Sequence, residues 1–223
     1  MTKVLVISVH PDDETLGCGG TLVRHHEDGD EIHWLIATTT YASQWSTEII
    51  EQKTLEIEAV SEAYHMGSVH KLQLPTVRLD TVPQSDIIDG IRKVVEVVKP
   101  EIVYLVHDGD VHSDHHAVFR AAMSVFKAFY MSKWGTRRIL CYETLSSTEA
   151  APPQFHRVFM PTVYHNITPY IDQKIEVMGL YETELQPDPY PRGPSSIRAL
   201  ARHRGATIGV EYAEAFMLIR EVR

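Results

Sequence analysis

Two short apolar runs, far apart in the chain, empty into the same kinds of residue. Val4-Leu5-Val6-Ile7-Ser8-Val9 leads to His10-Pro11-Asp12-Asp13-Glu14, and Ile102-Val103-Tyr104-Leu105-Val106 leads to His107-Asp108-Gly109-Asp110-Val111-His112-Ser113-Asp114-His115-His116. Runs this short and continuous read as strands buried on both faces. Similar runs at Ile32–Thr40, Val69–Leu74 and Arg138–Thr144 alternate with helical periodicity near Thr21–Glu27, Thr47–His65, Gln84–Lys99 and His116–Ser132. Strands alternating with helices predict an α/β fold with a mainly parallel sheet.

The expected architecture is a Rossmann-like, doubly wound sheet with strand order 3-2-1-4-5. In that order the chain reverses direction between the first and fourth strands, and ligands bind in the crevice at the reversal. Those two strands are the ones that end in His10 and His112. After about residue 145 the pattern changes: Pro152-Pro153, Pro161, Pro169 and the Gln186–Pro194 stretch interrupt it. Helices are expected to resume at Pro169–Leu185 and Ser195–His203, the second capped by Ser195 or Ser196 and ended by Gly205. These C-terminal additions carry no linker composition, so residues 1–223 read as a single domain.

The formal charge is −9 with no basic run, which argues against nucleic acid or an anionic membrane as the main partner and leaves small molecules. No apolar stretch has membrane length, and the first run is too short for a signal peptide, so a cytoplasmic location is expected. Cys18 and Cys141 are too few for a disulfide scaffold and read as reduced packing residues.

The chemistry lies in the two acidic, histidine-rich turns. A catalytic zinc takes three protein ligands and keeps one position open. His10 and Asp13 on one turn, with one histidine from the 112–116 group, supply such a set, and Asp12 is left over as a general base. In the second turn one imidazole can bind metal while another, polarised by Asp114, donates to an oxyanion.

His10-Pro11-Asp12-Asp13-Glu14, running into Gly17-Cys18-Gly19-Gly20, resembles the amino-terminal signature of the PIG-L/LmbE N-acetylglucosaminyl deacetylases. His112-Ser113-Asp114-His115 resembles their second signature, H-x-D-H, and Tyr212-Ala213-Glu214-Ala215-Phe216 is similar to their closing segment. The resemblance implies zinc on His10, Asp13 and His115, Asp12 as base, and His112 as oxyanion donor with Asp114 behind it. It also implies an N-acetyl amino sugar or small glycoconjugate as substrate, and a homo-oligomer. Two positions depart from the family: Asp110 stands where some members have a tyrosine acid, and Lys53 precedes Glu56 where an R-x-x-E arginine is common. Lysine meets a phosphate or hydroxyl as a point charge, without the two-pronged geometry of arginine.

Each assignment has a plainer competitor. The His and Asp residues can form a structural cluster, Asp12 can cap the following helix, and His112 with Asp114 can brace a ligand without meeting substrate. Other amide or ester hydrolysis, and a sugar-binding module with a dead site, are the functional competitors. The glycine-rich turn also suggests dinucleotide binding, but Leu22 stands where the third glycine belongs and no acid follows the second strand. His25, His26, His65, His70 and His203 read as solvated or packed. Tyr41 and Trp45 sit in a loop at the site's edge of the sheet, where they can stack on a sugar or pack locally. Arg192, in the proline-rich stretch, can reach substrate or be a solvated loop residue, the second being the plainer reading.

Overall fold

In the computed structural model, which describes residues 1–152 and 154–223, seven strands form one sheet in the order β3-β2-β1-β4-β5-β7-β6. Pro153, one of the residues expected to interrupt the pattern, lies outside the described residues. The first five strands are β1 (Lys3–Ser8), β2 (Glu31–Thr39), β3 (Ser68–Pro75), β4 (Ile102–Val106) and β5 (Arg138–Tyr142). They are parallel and adopt the 3-2-1-4-5 order expected from the sequence. Helices α1 (Asp13–Glu27), α2 (Thr47–Ala63), α3 (Gln84–Val98), α4 (Ser113–Val125) and α5 (Ala128–Trp134) connect them. β1 and β4 are almost wholly buried, as strands covered on both faces must be. They pair directly, Val4 against Ile102 and Ile7 against Leu105, so the turns that follow emerge side by side at one sheet edge.

Two strands had not been anticipated. β6 (Val163–Asn166) and β7 (Ala213–Glu221) add antiparallel to the far edge, β7 against β5 and β6 against β7. β6 is short and partly polar, whereas β7 does carry an apolar run, Ala215-Phe216-Met217-Leu218-Ile219, set between Glu214 and Arg220. The expected helix at Pro169–Leu185 shrinks to α6 (Ile171–Met178). The expected helix at Ser195–His203 becomes α7 (Pro194–Ile208), with Gly193 at its N-cap instead of a serine and left-handed Gly209 at its end. Gly205 lies inside α7, where a Cβ would stand 2.7 Å from the Glu211 carbonyl oxygen. The helix expected at His116–Ser132 is two helices, because Lys127 is extended and buried Phe126 turns inward.

α1 begins eight residues before the start that helical periodicity gave, at Asp13 instead of Thr21. Its glycines disfavour a helix intrinsically, but close packing repays this. A Cβ on Gly17 would overlap the ring of Tyr142 at 2.0 Å. The helix is broken at Cys18, with φ −143° and ψ 21°. Glu214 of β7 accepts from Gly20 N and Thr21 N at 2.9 and 2.7 Å, capping the second half of α1. Lys174 of α6 donates to the Leu16 carbonyl at 2.9 Å and to Glu214 at 2.7 Å, so both orphaned ends of the break are satisfied by one buried ion pair. Both cysteines are buried and free. No helix among the described residues is long and apolar enough to cross a membrane.

Candidate functional site

The turn after β1 carries His10, Asp12 and Asp13, and the turn after β4 carries Asp110, His112, Asp114 and His115. Asp13 sits at the start of α1, and its Oδ2 accepts from Val9 N and His10 N at 2.9 and 2.8 Å. That leaves Oδ1 facing His115 Nε2 at 3.5 Å. His115 Nε2 in turn lies 3.3 Å from His10 Nδ1, and His10 Nδ1 lies 3.9 Å from Asp13 Oδ2. Ligand atoms bound tetrahedrally at 2.0–2.1 Å from zinc are about 3.3 Å apart, so the spacing fits.

Hydrogen bonding sharpens the fit. His115 Nδ1 lies 3.0 Å from Asp110 Oδ2, and His10 Nε2 lies 3.4 Å from Asp114 Oδ2. An ionised carboxylate only accepts, so each of those ring nitrogens carries the proton. The two nitrogens that face each other at 3.3 Å, His10 Nδ1 and His115 Nε2, are the ones left to a cation once both rings are neutral. Burial draws His115 down, but the carboxylates of Asp13 and Asp110 outweigh it and hold the group above the usual histidine range. Burial raises Asp110 in its turn, and the bond and charge of His115 bring it net below the usual carboxylate range.

His112 is a second possible partner for this cluster, since His10, His112 and His115 can each bring one ligand atom within 4.8 Å of the others. Its Nδ1, however, accepts from Asp114 N at 3.2 Å, which fixes the neutral ring with its proton on Nε2. Burial, His10 and His115 lower this group to about 4, so the neutral donor persists at physiological pH. A neutral N–H lining the cavity suits an oxyanion better than a metal. Asp13 is the alternative third partner, turning Oδ1 to His115 at 3.5 Å and Oδ2 to His10 at 3.9 Å.

One expected contact is corrected. Asp114 does not back His112 through its carboxylate; it meets His10, and its oxygens also accept from Val77 N and Leu79 N at 2.6 and 3.1 Å. Helical geometry explains this, because His112 is the N-cap of α4 and takes the backbone N–H of Asp114 while the carboxylate projects across the site. Asp110, noted only as a departure from the family, is the group that orients His115.

Asp12 does not cap α1 with its side chain. Its carboxylate is buried with no hydrogen bond from the described residues, and Arg192 Nη1 lies 3.6 Å away. Burial raises it well above the usual carboxylate range, helped by Asp13 and Glu184 and opposed by Arg192. The backbone is left-handed at φ 139°, a costly conformation for a residue with a side chain. Glu14 helps to hold it there: its buried Oε2 accepts from Asp12 N at 3.3 Å and Ser8 Oγ at 3.0 Å, while Oε1 accepts from Tyr181 Oη at 2.6 Å.

His10, Asp12, Asp13, His112 and His115 line one cavity of about 270 Å³. Trp45 borders it, edge-on to Tyr41 at 5.1 Å, whereas Tyr41 packs under Arg78. His25 pairs with Asp30 and Tyr104, His26 stacks on His65, and His70 meets Ser68, so these stand apart from the site. Arg192, for which the plainer reading from sequence is a solvated loop residue, instead lines the cavity beside Asp12 and Glu184. Its only sequence signal was a charge within a proline-rich stretch, and such charges are usually solvated.

Known proteins are similar to nearly the whole of this chain. The diacetylchitobiose deacetylase of Thermococcus kodakarensis is 24% identical over 97% of this chain and 83% of its own. The conserved protein TT1542 of Thermus thermophilus superposes with a TM-score of 0.79 at 26% identity, covering 100% of this chain and 97% of that one. The fold is also shared with GalB, a 4-carboxy-2-hydroxymuconate hydratase of Pseudomonas putida, at TM-score 0.74, 18% identity and coverage of 100% and 98%. A common fold therefore does not settle the reaction. Residues 5–126, just over half of the chain, match the family described as PIG-L, GlcNAc-PI de-N-acetylase, and it is to this family that the chain belongs.

Proposed function

We propose that the protein is a zinc-dependent hydrolase that removes the acetyl group from an N-acetyl amino sugar or a small glycoconjugate of one. The observation that carries this reading is the facing pair of ring nitrogens of His10 and His115, 3.3 Å apart, with the Asp13 carboxylate against them and the buried Asp12 carboxylate beside them. The relatives' deacetylase activity supports the same reaction class.

His10, Asp13 and His115 would hold the ion, with Asp110 and Asp114 fixing the two rings. When bound, zinc polarises the acetamide carbonyl and makes water more acidic. Asp12 takes the proton as water attacks, and the His112 Nε2–H stabilises the charge that develops on the carbonyl oxygen. Burial favours the protonated form of Asp12, so the proton is retained and passed to the departing amine. Acetate and a free amine result.

The test is acetate release by metal-loaded protein across a panel of N-acetyl sugars, other acetamides and acetyl esters, with and without chelator. Release from N-acetyl sugars that stops on chelation is the expected result, whereas faster turnover of unrelated amides or esters would refute the substrate class. A cytoplasmic location and a homo-oligomeric state are part of the same proposal; fractionation and light scattering test them.

A further inference from the structure

Four charged side chains alternate in sign along one wall of the cavity. Lys53 Nζ pairs with Glu184 Oε1, Arg192 Nη1 lies 3.3 Å from Glu184 Oε2, and the same nitrogen lies 3.6 Å from Asp12 Oδ2. All four line the cavity. None of the four sits there by accident of flexibility. Buried Glu56 on α2 accepts from Thr183 N and Thr183 Oγ1, both at 2.9 Å, which locks the segment that bears Glu184. The Arg192 backbone donates to Gln186 Oε1 at 3.1 Å, which closes the proline-rich loop on itself.

Arg192 is a quarter exposed at the cavity wall, and among the described residues its side-chain nitrogens make no hydrogen bond, Nη1 standing 3.3 and 3.6 Å from the Glu184 and Asp12 carboxylates. A guanidinium has five N–H donors, so those that face the cavity are open to an acceptor on a substrate. Its identity is constrained by charge. Glu184 and Asp12 both approach Nη1 of the guanidinium, at 3.3 and 3.6 Å. A phosphate or carboxylate placed there would accept from Arg192 but meet the Glu184 carboxylate. A sugar hydroxyl both accepts and donates, so it can take a hydrogen bond from Arg192 and give one to Glu184. Nearby Thr38, Thr54 and Thr144 extend the same neutral hydrogen-bonding character.

We infer that Glu184 and Arg192 form a specificity pair that binds uncharged hydroxyls beside the scissile acetamide and rejects an anionic group at that position. Glu184 supplies the repulsive element as well as the attractive one. Lys71, exposed at the cavity wall on β3, has no ion-pair partner among the described residues, so charge carried farther along a substrate is outside this selection. The inference rests on the deacetylase reading for its turnover test but not for its binding test.

The experiment compares N-acetylglucosamine with two analogues bearing a negative charge on either carbon flanking the acetamide, N-acetylglucosamine 1-phosphate and N-acetylmuramic acid. Metal-loaded wild type should use at least one charged analogue tenfold or more less efficiently than the neutral sugar, measured as kcat/KM. Isosteric Glu184→Gln should shrink that gap at least tenfold, losing on the neutral sugar and gaining on the charged one. Equal or better use of both charged analogues by wild type, or a parallel loss on all three in Glu184→Gln, would overturn the inference. Calorimetric titration with the matching deacetylated amines gives the same comparison without turnover. Charge-selective binding without acetate release would sink the deacetylase reading and leave this one standing; acetate release without charge selection would do the reverse.

Discussion

Asp110 Oδ2 lies 3.0 Å from Nδ1 of His115, and this contact determines which face of the imidazole is left for a metal. Losing a carboxylate that orients a histidine ligand typically weakens metal binding about ten- to a hundredfold. Asp110→Ala should therefore retain the fold and show that loss in a zinc competition assay. Because Asp110 also accepts from His112 N at 2.9 Å, Asp110→Asn should fall between the two. Unchanged zinc affinity in both variants would reduce Asp110 to a turn residue.

The two histidines of the second turn should fail differently. His115→Ala should lose metal, since its Nε2 faces both His10 and Asp13. His112→Ala should keep metal and lose roughly 2.7–4 kcal/mol of transition-state stabilisation, the range for one oxyanion donor. Metal analysis and steady-state rates on the purified variants decide it, and a reversed pattern would make His112 the ligand.

Asp12 combines a strained backbone with a proposed catalytic carboxylate, so function and stability should separate there. Asp12→Asn should bind zinc and turn over about a hundredfold more slowly or worse. Asp12→Gly should be as inactive yet more stable, by an amount within the ~1–3 kcal/mol that such a backbone conformation costs. Denaturation showing Asp12→Gly less stable than wild type would mean that the side chain, and not the φ of 139°, dominates at this position.

Acid should destabilise the protein well above the range in which carboxylates titrate. His165, bonded to Thr21 Oγ1 and packed on Phe216, is lowered by burial to about 3, and burial also lowers His25. The unfolded chain takes up these protons near pH 6.5 while the folded chain refuses them until much lower pH. Their contribution is thus complete above about pH 6.5 and is lost progressively as pH falls, by up to a few kcal/mol. Urea titrations from pH 7 to pH 4 should show this slope in wild type and a shallower one in His165→Gln.

Much of this molecule is legible in the sequence because the central strands need no context: buried on both faces, they must be continuously apolar, and Ile7 or Leu105 admits little else. At their carboxyl ends the ligand-type residues His10 and Asp13 were equally plain, whereas the choice of His115 among the 112–116 histidines came only from the family resemblance. What was hidden depended on tertiary choices. Whether the Asp114 carboxylate meets His112 or His10 is decided by one capping turn. Gly17 and Gly20 enter a helix because Tyr142 and Ile167 leave no room for side chains there. Arg192 reaches the site through a loop whose path no periodicity encodes, and β6, four residues long and partly polar, does not read as a strand.

The break in α1 has a consequence for the order of events during synthesis. The helix that starts at Asp13, a proposed metal ligand, is completed by Glu214, which lies 194 positions from Gly20. A ribosome-bound chain that has released the first five strands holds every proposed ligand, yet the helix carrying Asp13 still lacks its cap and its lysine. The nascent protein should consequently acquire its metal only after the last strand has emerged. Shortening the chain to end before residue 213 should cost zinc binding even though no ligand is removed.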